Sequence, residues 1–282
     1  MSNGDDDESA RVSRRVRVEL RKRLQRSSLN RQDSDDLLGE LAARLQEHLL
    51  GVRLSPERIL AIGPGPESWF KTLRKDFAGA KVVAASPSGT QLASYRARLP
   101  WRRQPAVTLY PEKLPFTDQS FELVVANLLA SEPGQMSAFI AEVARVLKPG
   151  SLFCASFLGP DTFSEFASAW ANVDATPHVV PFMDMHDVGD LLAKNRFADI
   201  VVDAERLRLT YAEPALAIAE ARRLGVGNIH PLRRRALTAR TTWQQFLDSC
   251  ERIEGRTPVT LECVYVHAWR SAPRSSIEVA LA

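Results

Sequence analysis

A doubly wound α/β domain, with a mostly parallel sheet and a helical C-terminal cap, is what the sequence predicts. Three observations carry this. Short apolar runs alternate with amphipathic, helix-length segments between residues 58 and 157, and glycine and proline clusters stop those runs. In the last third the alternation breaks down, and helix-like segments with a glycine-containing loop provide the cap. Strands alternating with helices imply a parallel sheet, because parallel neighbours need crossover connections and helices make them compactly.

Residues 1–34 are charged and poor in large apolar side chains, so they read as a frayed start and basic helix ahead of the domain at 35–282. Asp35 and Asp36 suit a first helical turn, and Leu38, Leu41, Leu45 and Leu49 then recur at helical spacing. Residues 58–62 form the first strand, which ends at Gly63, Pro64, Gly65 and Pro66; a helix over 69–74 follows. A second strand at 81–85 stops at Ser86 and leads into a helix through Leu92, Tyr95 and Leu99. Further strands fall at 106–110, 121–126 and 151–157, with a helical face at Phe139, Val143, Val146 and Leu147 ending at 148–150. Beyond these come helices at 187–192, 214–224 and 241–252 and strands at 198–204 and 261–270; residues 160–260 contribute the cap elements.

Composition sets the class. With 282 residues, 45% hydrophobic and 25% charged, the chain can bury a substantial core. It has no apolar run of about eighteen residues, and its acidic first residues are unlike a leader sequence, which predicts a cytoplasmic protein without a membrane span. Cys154, Cys250 and Cys263 lie far apart without ligand spacing, so neither a metal site nor a disulfide is predicted. The net charge of +3 is unevenly spread. Arginines cluster over 11–31 and at Arg222, Arg223, Arg233, Arg234 and Arg235, as solvated faces or as a dock for an acidic partner. Aromatic residues are not interleaved with them, which argues against nucleic acid.

Function centres on Gly63 and Gly65. In an open parallel sheet, ligands sit at the carboxyl ends of the strands where the strand order reverses, and glycines there allow close approach to the backbone at a helix N-terminus. The segment 112–127 (EKLPFTDQSFELVVAN), followed by 142–150 (EVARVLKPG), resembles the central block of the class I, Rossmann-like, S-adenosylmethionine-dependent methyltransferases. Residues 158–166, 177–182, 187–192 and 225–229 are similar to two groups on that fold. One comprises the malonyl-(acyl carrier protein) O-methyltransferases of biotin synthesis. The other is a mitochondrial complex I assembly factor described as an arginine hydroxylase.

The resemblance implies S-adenosylmethionine held by Gly63, Gly65, Ser86, Leu114 and Asn127, with Leu114 in the loop bordering the adenine and Asn127 facing the methyl donor. It implies an acyl carrier protein or another protein as substrate, and methyl transfer to a malonyl-thioester carboxylate; the alternative is a non-methylating scaffold factor or hydroxylase. The cofactor motif is degenerate. Ala61, Ser86 and Tyr110 stand where family members carry acids, and Glu67 where they carry a third glycine. Pro181 replaces an arginine expected to hold the malonyl carboxylate, a role open to Arg222, Arg223 or Arg233, and Ser131 and Glu132 replace a glutamine-tryptophan pair. His178 reads either as a general base or as a buried structural histidine, and Asp161 and Thr162 either line the site or cap the next helix. No catalytic residue is assigned beyond these two candidates, His178 and Asp161.

Overall fold

A computed structural model describes residues 35–50, 52–87, 92, 105–129, 133–228, 230 and 232–272. The arginine-rich start, the helix through Tyr95 and Leu99, and the positions Ser131 and Glu132 lie outside these residues.

Helix α1 (Asp35–Glu47) precedes strand β1 (Arg58–Ile62), helix α2 (Glu67–Asp76) and strand β2 (Lys81–Ser86). Strands β3 (Ala106–Thr108) and β4 (Phe121–Ala126) follow, then helix α3 (Pro133–Val146) and strand β5 (Leu147–Leu158). The C-terminal part comprises α4 (Ser164–Ala171), α5 (Met185–Lys194), β6 (Phe197–Tyr211), α6 (Pro214–Arg223), α7 (Arg240–Ser249) and β7 (Thr257–Arg270).

The seven strands make one sheet in the order β3-β2-β1-β4-β5-β7-β6. β1 to β5 are parallel, and β7 runs antiparallel between β5 and β6. Because β2 and β4 flank β1, the strand order reverses between β1 and β4. That reversal opens a crevice at their carboxyl ends.

The parallel strands are buried on both faces, as their unbroken apolar runs require. In β1, Ile59 and Ala61 join the core under α1 and α2, built from Leu41, Leu45, Trp69 and Leu73. Leu60 and Ile62 join the opposite core with Phe139, Val143 and Val146 of α3. The α1 stripe is spent against this sheet: Leu41 and Leu45 are fully buried.

β5 starts at Leu147 instead of 151, because residues 148–150 form an irregular entry with a register shift opposite Phe121 and Leu123 and with Gly150 at positive φ. β6 extends to Tyr211, well past 204. Its alternating half-exposed pattern is that of an edge strand with one wet face, where polar and apolar residues share the run. The cap consists of two insertions, 159–184 after β5 and 212–256 between β6 and β7. They meet where Trp170 and Phe166 of α4 pack on Phe246 of α7, with Trp170 stacked on Phe246 at 4.3 Å between centroids.

Candidate functional site: a glycine turn and a cap pocket

At the switch point the chain leaves β1 through Gly63, whose N–H donates to Ala85 O at 3.0 Å, while Asn127 N donates to Ile62 O at 2.8 Å. Gly63 sits at φ +112, and a Cβ there would lie 2.1 Å from the carbonyl oxygen of Asn127. A Cβ on Gly65 would lie 2.6 Å from the Trp69 ring. Both glycines are therefore required by the chain's own packing, which draws the turn tightly over the ends of β1 and β4.

Asn127 is fully buried and its side chain is spent on the turn. Its Nδ2 donates to Pro64 O at 2.6 Å, and its Oδ1 accepts from Ser156 Oγ at 2.8 Å. The same Ser156 oxygen accepts from Leu128 N at 3.1 Å. Leu128 has φ +46, a left-handed conformation that a branched residue adopts at a cost of about 1–3 kcal/mol and that concentrates at functional sites. Thus the Asn127 side chain holds the turn and is already committed to Pro64 and Ser156. Sequence reasoning missed Ser156, which carries no motif signal and is identified by its contacts.

Leu114 is also buried, with both backbone groups occupied: its N–H donates to Glu142 Oε2 at 2.7 Å and its carbonyl accepts from Arg145 at 2.9 Å. Arg145 also donates to Phe116 O and pairs with Asp118 and Glu142, so one guanidinium from α3 fixes the loop 112–118. The hydrogen bond to Glu142 is the main cause raising Arg145 above its ordinary pKa, and the same bond is the main cause lowering Glu142. This pair was present in the 142–150 segment, at i,i+3 spacing.

Among the other predicted cofactor positions, Ser86 is fully buried at the end of β2, its carbonyl accepting from Leu109 N at 3.2 Å. Ala61 is fully buried in the apolar core. Glu67 pairs with Lys71 at 2.9 Å, and Tyr110 is half-exposed beyond β3.

The two candidate catalytic residues are engaged by elements other than the turn. Asp161 pairs with Arg206 at 2.7 Å, and its N–H donates to Glu262 Oε2 at 2.8 Å. Thr162, Glu262 and Glu165 complete a staple between the post-β5 loop and β7. His178 lies in the cap, stacked flat on Trp170 with centroids 3.6 Å apart and hydrogen-bonded to Asp174 at 2.8 Å. Burial pushes the Asp174 carboxyl up, but the hydrogen bonds from Thr176 and His178 outweigh this and bring it down to about 2.

His178 and Trp170 help line a pocket of about 210 Å³ in the cap, walled also by Phe163, Phe246, Trp243 and Arg222. It lies beyond the carboxyl end of β5, the strand adjacent to β4. Phe163 enters α4 at φ +58, a second left-handed residue on this edge of the sheet. Among the described residues no helix is long and apolar enough to cross a membrane.

Residues 60–155 match a family described as a methyltransferase domain. Malonyl-(acyl carrier protein) O-methyltransferase of Legionella pneumophila is 34% identical over 239 residues, covering 83% of this chain and 84% of the relative. That of Halorhodospira halophila is 36% identical over 243 residues, covering 82% and 80%. Among solved structures, a methyltransferase-like protein of Bacillus halodurans superposes with a TM-score of 0.55 at 18% identity, covering 83% of this chain and all of that one. The YcgJ protein of Bacillus subtilis does so with a TM-score of 0.57 at 14% identity, covering 82% and 99%. These two likenesses show the fold.

For S-adenosylmethionine, the cofactor implied by the resemblance, the turn offers a free backbone donor. The tight turn opens on the first turn of α2, and Gly65 keeps the turn's one N–H without a partner, since Gly63 is engaged and Pro64 and Pro66 have none. The charged contacts are missing, because Ala61, Ser86 and Tyr110 provide no carboxylate.

Proposed function

We propose, for a chain that belongs to the malonyl-(acyl carrier protein) O-methyltransferase family, that it transfers a methyl group from S-adenosylmethionine to the free carboxylate of a malonyl thioester borne by an acyl carrier protein. The observation that carries this reading is the Gly63–Gly65 turn, locked by Asn127 and Ser156 at the point where the strand order reverses. When bound there, the cofactor supplies an electrophilic methyl on a sulfonium. Gly65 N–H and the first turn of α2 would hold its charged end, Ser86 would stand at the ribose, and the Arg145-fixed loop 112–118 would border the base.

The chemistry asks little of the protein. The chain's part would be to hold a carboxylate oxygen in line with the sulfonium methyl, so that a C–O bond could form as the S–C bond breaks and its electron pair leaves on sulfur. An ionised carboxylate needs no general base, so catalysis is positioning and exclusion of water. This agrees with His178 being committed to Asp174 and Trp170, and Asp161 to Arg206.

The cap's basic face supports a carrier protein as partner. Arg222, Arg233, Arg235 and Arg240 have no ion pair among the described residues, and Leu232 and Leu237 beside them are exposed. Carrier proteins bearing acidic surfaces suit such a face. Methyl transfer from labelled S-adenosylmethionine to malonyl-acyl carrier protein tests the proposal. A labelled methyl ester on the carrier is the expected outcome, and no transfer at saturating substrates refutes it.

A second reading, a non-methylating member of the same fold, is favoured by one specific observation: the loss of carboxylates at Ala61, Ser86 and Tyr110. It predicts that the protein lacks transfer activity with any acceptor.

A further inference from the structure

We propose that Ser156 is a positioning residue of the cofactor site: its hydroxyl anchors the Asn127 amide and, through it, holds the Gly63–Gly65 turn in the shape that receives the nucleoside. This rests on the methyl-transfer reading.

The parallel ladder between β4 and β5 ends at the pair Ala126 and Ala155. The next residues in that register, Asn127 and Ser156, are joined by a side-chain bond instead, and the chain leaves β4 through the left-handed Leu128. On its other side Ser156 stays in the sheet, opposite Tyr265 of β7, so the interior of the sheet fixes where its hydroxyl sits. Ser156 and Asn127 are 1% and 0% exposed, which leaves both to act through the turn and not by touching a ligand.

Hydrogen-bond polarity orders the network. Pro64 O can only accept, so the amide presents Nδ2 to it at 2.6 Å. The other end of the amide, Oδ1, also can only accept, and it meets the single proton of the Ser156 hydroxyl at 2.8 Å. The lone pairs of that hydroxyl take the Leu128 N–H at 3.1 Å. Removing the hydroxyl leaves Asn127 Oδ1 and Leu128 N–H unpaired in the core. Relief comes from a shift of the amide and from Leu128 leaving the left-handed region, and either movement frees Pro64 O and the turn that carries Gly65 N–H.

S-Adenosylmethionine is titrated calorimetrically, without acceptor, into wild type, Ser156→Ala, Ser156→Cys, Asn127→Ala and the double variant Ser156→Ala/Asn127→Ala. Ser156→Ala is expected to weaken binding by about tenfold or more. Ser156→Cys, of similar shape but a weaker donor, should fall between it and the wild type. If Ser156 acts through Asn127, Ser156→Ala should cost little further affinity on the Asn127→Ala background. In the ligand-free chain, amide hydrogen exchange over residues 63–65 and 127–128 should be faster in Ser156→Ala than in wild type. A purely structural role would lower the thermal midpoint and leave affinity alone. Wild-type affinity in Ser156→Ala, or losses that add in full in the double variant, overturn the inference. Failure of the wild type to bind refutes the methyl-transfer reading instead. Exchange over 63–65 and 127–128 then decides whether Ser156 anchors the turn: acceleration in Ser156→Ala supports it, and unchanged exchange overturns it.

Discussion

Gly63 shows how a motif residue can be predicted for one reason and required for another. The sequence marks it as a glycine that admits a ligand; the structure has it admitting the chain itself, under the Asn127 carbonyl. Gly63→Ala is expected to cost about 2 kcal/mol or more, from the unfavourable φ and the collision together, and to lower the thermal midpoint by several degrees. Ala61 is the reverse case. Restoring the acid found in related proteins by Ala61→Asp would place a carboxyl among Trp69, Leu73 and Leu45 in a fully buried apolar core. That variant should be destabilised in a denaturant titration by about 2 kcal/mol or more. The core has adjusted around alanine, so the missing acid is a packing fact as well as a binding one. Asn127 and Leu114 were legible as members of the site, but their roles were not. A sequence does not reveal that an amide is consumed by Pro64 O and Ser156.

Among the elements, the parallel half of the sheet was legible because each strand is an apolar run punctuated by glycine or proline. β6 runs past its predicted end at 204 because an edge strand mixes Arg206 and Arg208 with Leu207 and Leu209, and period-two alternation in a charged segment resembles loop. The sequence predicts α4 only as a helix that Asp161 or Thr162 caps. Both are instead used to staple the loop to β7, and the helix begins at Ser164 after Phe163, which gives it no side-chain cap. The α3 clamp gives a prediction at this scale. Arg145→Ala removes donors from two loop carbonyls and leaves Glu142 with only the Leu114 N–H of its two partners, so amide hydrogen exchange over residues 112–118 should accelerate markedly while β1 and β4 remain protected.

α1 and β7 meet through ionisable rings. His48, just past α1, stacks on Tyr265 at 4.4 Å and lies 6.0 Å from His267. Burial, reinforced by His48, holds the His267 pKa below its ordinary value of 6.5. With the folded value depressed, both states are neutral above about pH 6.5 and the residue then costs nothing; as pH falls below that, the unfolded chain takes up the proton first and stability declines. Thermal midpoints should therefore fall from about pH 7.5 to 5.5, and His267→Gln should flatten that slope.

For the whole molecule, a turn drawn tight at the switch point faces the carboxyl edge of the sheet, and the cap pocket lies beyond the next strand on that edge. The architecture was readable from strand–helix rhythm and segment resemblance. The pocket was not, because its walls come from three helices and two loops whose aromatic residues, spaced far apart in sequence, carry no pattern. The central claim is that the glycine turn, with Ser86 and the 112–118 loop, binds the nucleoside without the customary acids. Calorimetric titration of S-adenosylmethionine into the full chain tests it most directly. Saturable binding in about the micromolar range is predicted; no detectable heat at about millimolar ligand would contradict the account.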